Sequence, residues 1–261
     1  RINGYDNLEP KMPDFCVKTI AFNDQLRTEH KARRLLAQAY GFSEIHNYSW
    51  FDETWLKTIG YEPAAALEMA NSSAEHNIRL QTTLLPNILA VTKKNAVLRD
   101  HFRIFELGRV YLPLGEQQRK EYNFLSGVSF QNERSTDLEE HFRLVKGALE
   151  ALAAQLNVGR LAFEPGRHET APWQTPGCFI DIQLDNTVIG GLGFLSEPLL
   201  SEIAPKSQVV WFELNFDALE GPIFPETRYQ AASRYPGSWF DFSIVANAES
   251  GFVELIHTLD T

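Results

Sequence analysis

The chain has 261 residues, 44% hydrophobic and 22% charged, with a formal net charge of −10 at neutral pH. That length accommodates one large domain or two small ones around a substantial core, with the composition of an ordinary soluble globular protein. The acidic balance argues against a broad nucleic-acid-binding face, which needs clustered Lys and Arg. No apolar run reaches the ~18 residues of a membrane span, and no basic-then-apolar stretch opens the chain as a secretory signal would, so a cytoplasmic protein is expected.

Residues 1–13, RINGYDNLEPKMP, are rich in turn formers and read as the tail of an upstream small domain or a linker. A helix is expected from Asn23, a capping residue, to Tyr40, stopped by Gly41. Leu26, Arg33, Leu36 and Tyr40 share one face of it by three- and four-residue steps, and Leu35 and Ala39 widen the stripe. Residues 43–50, SEIHNYSW, are expected to form a strand. A short helix from Asp52 to Ile59 ends at Gly60, and Pro86 suits the first turn of a helix running to about Leu98. Strands over residues 102–111 and 122–130 should pair antiparallel. A further helix begins around Thr136, where Thr136 and Glu139 have the spacing of a capping box, and its stripe is Leu138, Phe142, Val145, Leu149, Leu152 and Leu156. Asp185-Asn186 suits the tight turn of a hairpin. A short helix over 197–203 precedes VVWFELNFDAL, where Val210, Phe212, Leu214 and Phe216 alternate with Trp211, Glu213, Asn215 and Asp217.

These elements make an α+β fold with a mainly antiparallel sheet flanked by helices. The core domain is expected over residues 14–221, a linker over 222–236, and a new strand-helix unit over 237–261. Both ends fall inside apparent motifs, so the chain reads as a piece of something longer. Cys16 and Cys178 stand alone, without metal-ligand spacing, and are expected as buried free thiols.

Four stretches in order, RINGYDNLEP, YGFSEIHNYSW, NSSAEHNIRLQTTLLPNIL and RIFELGRVY, resemble the beta chain of bacterial-type phenylalanyl-tRNA synthetase. The resemblance implies a class II aminoacyl-tRNA synthetase-like antiparallel sheet whose working site for ATP and phenylalanine belongs to the partner alpha chain. In that alpha chain an arginine directly after the GRVY-type sequence holds the ATP α-phosphate; here that position is Leu112. Loss of one such donor typically costs ~2.7 to 4 kcal/mol of transition-state stabilisation. The next strand offers no carboxylate between Asn123 and Phe130, and PGSWFDF lacks the arginine of a third motif. The implied role is a catalytic-like scaffold, inactive alone, in an (alpha-beta)2 enzyme that ligates phenylalanine to tRNA(Phe) with ATP and magnesium, which the alpha chain mainly binds.

No catalytic, cofactor-binding or metal-ligating residue is therefore assigned. The resemblance places alpha-chain docking on the helix from Asn23 to Tyr40, with Leu26, His30, Arg33, Leu36 and Tyr40 as its interface residues. A homodimer of the isolated chain through that helix is also open. Arg109 reads as an ion-pair partner beside Glu106 rather than a phosphate ligand. His168 and Glu169, adjacent on an extended chain, point to opposite faces. Lys93, Lys94, Arg99 and Arg103 fit either contact with an RNA backbone or a solvated helix face. The last unit resembles the opening of a ferredoxin-like anticodon-binding module, but Phe240 stands where arginine is usual, which weakens the case for tRNA binding there. The rival reading is a stand-alone synthetase-like paralogue binding an amino acid or nucleotide in the vestigial cleft.

Overall fold

The computed structural model describes residues 4–14, 16, 18–19, 23–63, 66–72, 78–114, 118–132, 137–166, 171–174, 177–219, 231, 234–241, 243 and 245. Helix α1 (Asp24–Tyr40) begins where Asn23 accepts a hydrogen bond from the Leu26 N–H at 3.1 Å, and it ends at Gly41, whose φ of 67° gives the left-handed cap. Strand β1 (Ser43–Glu44) is far shorter than the strand expected over 43–50. Beyond Ile45 the backbone finds other partners. Asn47 N–H donates to the Glu106 carboxylate at 2.8 Å, and Phe51 N–H and Ser49 C=O bond to the main chain at Arg79 and Gln81. Helix α2 (Glu53–Ile59) is capped by Asp52 and closed by Gly60, as expected.

Helix α3 (Leu85–Ala96) carries Pro86 in its first turn. Strands β2 (His101–Leu114) and β3 (Gln118–Gln131) form one antiparallel ladder from His101↔Gln131 to Leu114↔Gln118, longer at both ends than expected. Helix α4 (Leu138–Leu156) is capped one residue later than expected. Asp137 is the capping residue, accepting from the Glu140 N–H at 2.8 Å, and Thr136 lies outside the described residues. Of the predicted stripe, Val145, Leu149, Leu152 and Leu156 are buried, while Leu138 is 51% exposed.

Strand β4 (Ala162–Pro165) leads to the hairpin of β5 (Phe179–Leu184) and β6 (Thr187–Phe194). Asp185 and Asn186 both take positive φ, 49° and 63°, as a tight turn with right-handed strand twist requires. Helix α5 (Glu197–Ile203) precedes β7 (Gln208–Asn215). The sheet order is β1-β2-β3-β7-β6-β5-β4, with only the β1–β2 pair parallel. The α+β, mainly antiparallel arrangement is as read from the sequence.

The sheet separates two apolar clusters. On one face α1 and α4 cover Phe105, Leu107, Leu125, Val210, Phe212 and Leu214. On the other, α2, α3 and α5 cover Ile104, Val110, Val128, Phe130, Val209 and Trp211. Strand β7 is central, with both faces covered: Val210, Phe212 and Leu214 pack into one cluster and Val209 and Trp211 into the other. Cys16 and Cys178 are both exposed, contrary to expectation, because neither lies within an element packed against a cluster.

The chain falls into two compact units, Arg1–Pro225 and Glu226–Thr261. The expected linker over 222–236 and the strand-helix unit from 237 lie largely outside the described residues; within the second unit Tyr235 and Trp239 are exposed.

Candidate functional site

Leu112 identifies the face on which an adenylating relative would place its arginine. It packs against the cluster under α2, α3 and α5, so that face is filled by the chain's own hydrocarbon where a phosphate would need charge. Tyr61 and Trp173 close over the same region with ring centroids 4.9 Å apart, and Phe51 meets Tyr61 edge-on at 6.1 Å.

Beneath this cover a row of polar positions crosses the sheet in register: Glu106 opposite Ser126, Ser126 opposite Glu213, then Gly191 and Asp181. Three of them are tied internally. Glu106 accepts from the Asn47 N–H at 2.8 Å and from Asn47 Nδ2 at 2.7 Å, and Ser126 Oγ donates to the Phe212 carbonyl at 3.0 Å. Glu213 accepts from Thr83 Oγ1 at 2.6 Å and the Leu84 N–H at 2.9 Å.

Helix α3 has no side-chain cap of its own, so Glu213, reaching from β7, supplies the carboxyl acceptor for its N-terminal N–H. Burial pushes the Glu213 carboxyl up to about 7 despite those donors, and burial likewise raises Glu106 above the usual carboxylate range. Sequence reading found no carboxylate on β3 and missed these two as a pair, because they sit on strands distant in sequence. The available signal for Glu213 was a lone Glu inside an otherwise apolar strand.

Arg109 pairs with Glu121 at 3.1 Å on the exposed side of the hairpin, not with Glu106, which points to the opposite face. The basic cluster disperses. Lys93 lies 3.9 Å from Glu202 and over the Trp55 ring, whereas Arg103 donates to the Tyr40 carbonyl at 2.9 Å. His168 and Glu169 lie outside the described residues. Among the described residues no group of His, Cys, Asp or Glu could hold a metal, and no helix is long and apolar enough to cross a membrane.

The predicted interface set on α1 divides. Leu36 is 0% exposed and belongs to the chain's own core, and Tyr40 donates its hydroxyl to the Gly147 carbonyl of α4 at 3.2 Å. The apolar stripe read as a partner surface is, at those two positions, the stripe that seats α1 on α4 and the sheet. Arg33 is fixed by Glu29 at 3.0 Å and Glu44 at 2.7 Å. Leu26, 48% exposed, and His30 face outward. Sequence reading also missed the stacked pair Tyr48–Trp50, centroids 4.5 Å apart, because it assumed a regular strand there.

The family model for the phenylalanyl-tRNA synthetase beta chain CLM domain matches residues 8–216. The chain belongs to that family. The phenylalanine–tRNA ligase beta subunit of Carboxydothermus hydrogenoformans is 29% identical over 99% of this chain and 34% of its own length. That of Geobacter sulfurreducens is 27% identical over 100% of this chain and 34% of its own. The chain thus spans about a third of the length of these curated beta-subunit relatives. A solved pyrrolysyl-tRNA synthetase from Desulfitobacterium hafniense superposes with a TM-score of 0.58 at 18% identity, over 75% of this chain and 67% of that one. At that identity the likeness speaks for the fold, and it agrees with the synthetase-like sheet expected of a beta-chain core.

Proposed function

We propose that the chain is the non-catalytic core of a phenylalanyl-tRNA synthetase beta subunit. It docks the alpha subunit through α1 in an (alpha-beta)2 enzyme that ligates phenylalanine to tRNA(Phe). ATP and magnesium bind mainly to the alpha subunit, tRNA(Phe) engages the full assembly in the cytoplasm, and this chain alone carries out neither step. The observation that supports a scaffold role is the face at Leu112. There Leu112 packs on the apolar cluster, Glu213 and Glu106 are held by the chain's own donors, and Lys120, opposite Leu112 in register, lies over the Tyr122 ring.

The test has two parts. Light scattering after size-exclusion chromatography of the chain with the alpha subunit should give a stoichiometric complex. Phenylalanine-dependent pyrophosphate exchange should appear only when the alpha subunit is present; exchange by this chain alone would overturn the reading. The stand-alone paralogue is not favoured, since the relatives matched over nearly the whole chain are beta subunits.

A further inference from the structure

The stretch that leaves the sheet after Ile45 pairs with the one that leads into α3. Phe51 N–H donates to the Arg79 carbonyl and Gln81 N–H to the Ser49 carbonyl, both at 2.9 Å, and Trp50 bridges to Leu80. A carboxyl from the sheet holds each side of this ribbon. Glu106 on β2 accepts from the N–H and Nδ2 of Asn47, and Glu213 on β7 accepts from Thr83 Oγ1 and the Leu84 N–H. In register the two carboxyl-bearing positions flank Ser126, roughly 10 Å apart at the spacing of neighbouring strands.

Asn87 ties the ribbon to the helix. From the first turn of α3 its Nδ2 donates to the carbonyls of Tyr48 and Trp50, at 3.2 and 3.1 Å, and lies 3.0 Å from Gln81 Oε1. The contacts therefore run in series: Glu213 fixes residues 83 and 84, these begin the helix, and the helix carries Asn87 against the backbone of the stacked Tyr48 and Trp50. At Gln81 the ribbon is anchored separately. Tyr111 N–H donates to its carbonyl at 2.9 Å, and its Nε2 donates to the Arg109 carbonyl at 2.8 Å, so neither bond to β2 involves Glu213.

Ionising Glu213 places a charge where little offsets it. Among the described residues Glu106 and Asp181 share its row, and Tyr61, Arg79 and Glu62 lie toward the cover. Arg79 is bound to Glu53 and Glu62, while α2, α3 and α5 contribute Ile59, Leu85, Ile88 and Leu199 to the apolar cluster. A carboxylate among apolar side chains and acidic neighbours is driven toward water unless its donors outweigh that cost. Burial outweighs them here, which places the titration at about 7.

We infer that Glu213 is a proton-controlled latch: neutral, it holds Thr83 and Leu84 on the sheet, and on ionising it turns toward solvent and frees the first turn of α3 together with the Tyr48–Trp50 stack. The latch does not depend on docking to the alpha subunit.

The test is amide hydrogen exchange of this chain, resolved by residue and corrected for intrinsic rates, at about pH 6 and about pH 8. Protection at Leu84 and Leu85 should fall about tenfold, the part of the loss lying between those values for a carboxyl raised to about 7. Exchange there should be insensitive to urea below the unfolding transition, because a local opening exposes little surface, whereas Leu149 in α4 should follow urea steeply. Trp50 emission, taken as the difference between the chain and its Trp50→Phe variant, should change over the same interval. Glu213→Gln keeps an acceptor but cannot ionise, and should abolish both responses. Thr83→Val removes one donor to the carboxylate and should carry the fall to higher pH, which a group titrating elsewhere would not do; it decides the matter should the glutamine variant fail to fold. Protection or Trp50 emission that ignores pH in the wild type would overturn the inference. So would a fall that persists in Glu213→Gln, or exchange at Leu84 and Leu85 that follows urea as steeply as at Leu149, since the event would then be global unfolding.

Discussion

Glu213 holds its proton up to about pH 7 because burial penalises the carboxylate more than Thr83 and Leu84 stabilise it. A folded-state value above the unfolded one means that this group's contribution to stability is fully present below about 4.5 and is lost as pH rises through about 7. Glu213→Gln keeps an acceptor for α3 and cannot ionise. Urea unfolding at pH 5 and at pH 7.5 should show the wild type losing, relative to this variant, on the order of 2 kcal/mol between the two. His141 runs the other way. It is buried with Nε2 2.8 Å from Ser129 Oγ, and burial lowers it to about 4. Its contribution is present above about 6.5 and is lost as pH falls through about 4. Replacing it by Gln should flatten the acid limb of a pH–stability profile over that interval. Backbone spacing adds a third residue-level expectation. A Cβ at Gly127 would lie 2.6 Å from the Phe212 ring, and Phe212 is wholly buried, so Gly127→Ala should lower the unfolding free energy by roughly 1 to 3 kcal/mol in the same assay.

Helix α4 shows how far local rules carry an element. Its apolar positions repeat at three and four residues, and the structure buries that stripe against the sheet from Val145 to Leu156. The cap, by contrast, shifted to Asp137, because a carboxylate at the capping position also sits favourably at the positive end of the helix. Asp137→Ala should therefore destabilise by ~1 kcal/mol, whereas Leu149→Ala, which opens a cavity between α4 and the sheet, should cost roughly 2 to 5 kcal/mol. Chemical denaturation of the two variants in parallel measures both. On α1 the same periodicity was legible, but the stripe did not announce what it faced. Leu36 and Tyr40 fit a partner surface as well as a core until α4 is seen to lie against them.

At the scale of the whole core unit, the sheet is sealed on both sides, by α1 and α4 on one and by α2, α3 and α5 on the other. Leu112 and Tyr61 pack against the cluster that holds Phe51 and the buried residues of α3. Thermal unfolding of the chain with millimolar ATP–magnesium or phenylalanine should leave the midpoint unchanged, because a ligand raises it only by binding the folded state preferentially. An upward shift of several degrees would instead support ligand binding on that face.

By itself the sequence determined the periodic elements, the stops at Gly41 and Gly60, the Asp185-Asn186 turn and the family, since each depends on neighbours within a few residues or on motifs in fixed order. Only the tertiary structure decided that residues 46–50 leave the sheet, that Glu213 caps a helix whose own sequence lacks a cap, and that Leu36 looks inward while Leu26 and His30 face outward. The physical reason is common to all three. Backbone groups and buried charges must find partners, and when the partner is 59 residues away, as Glu106 is from Asn47, or 129, as Glu213 is from Leu84, nothing in the local pattern records it.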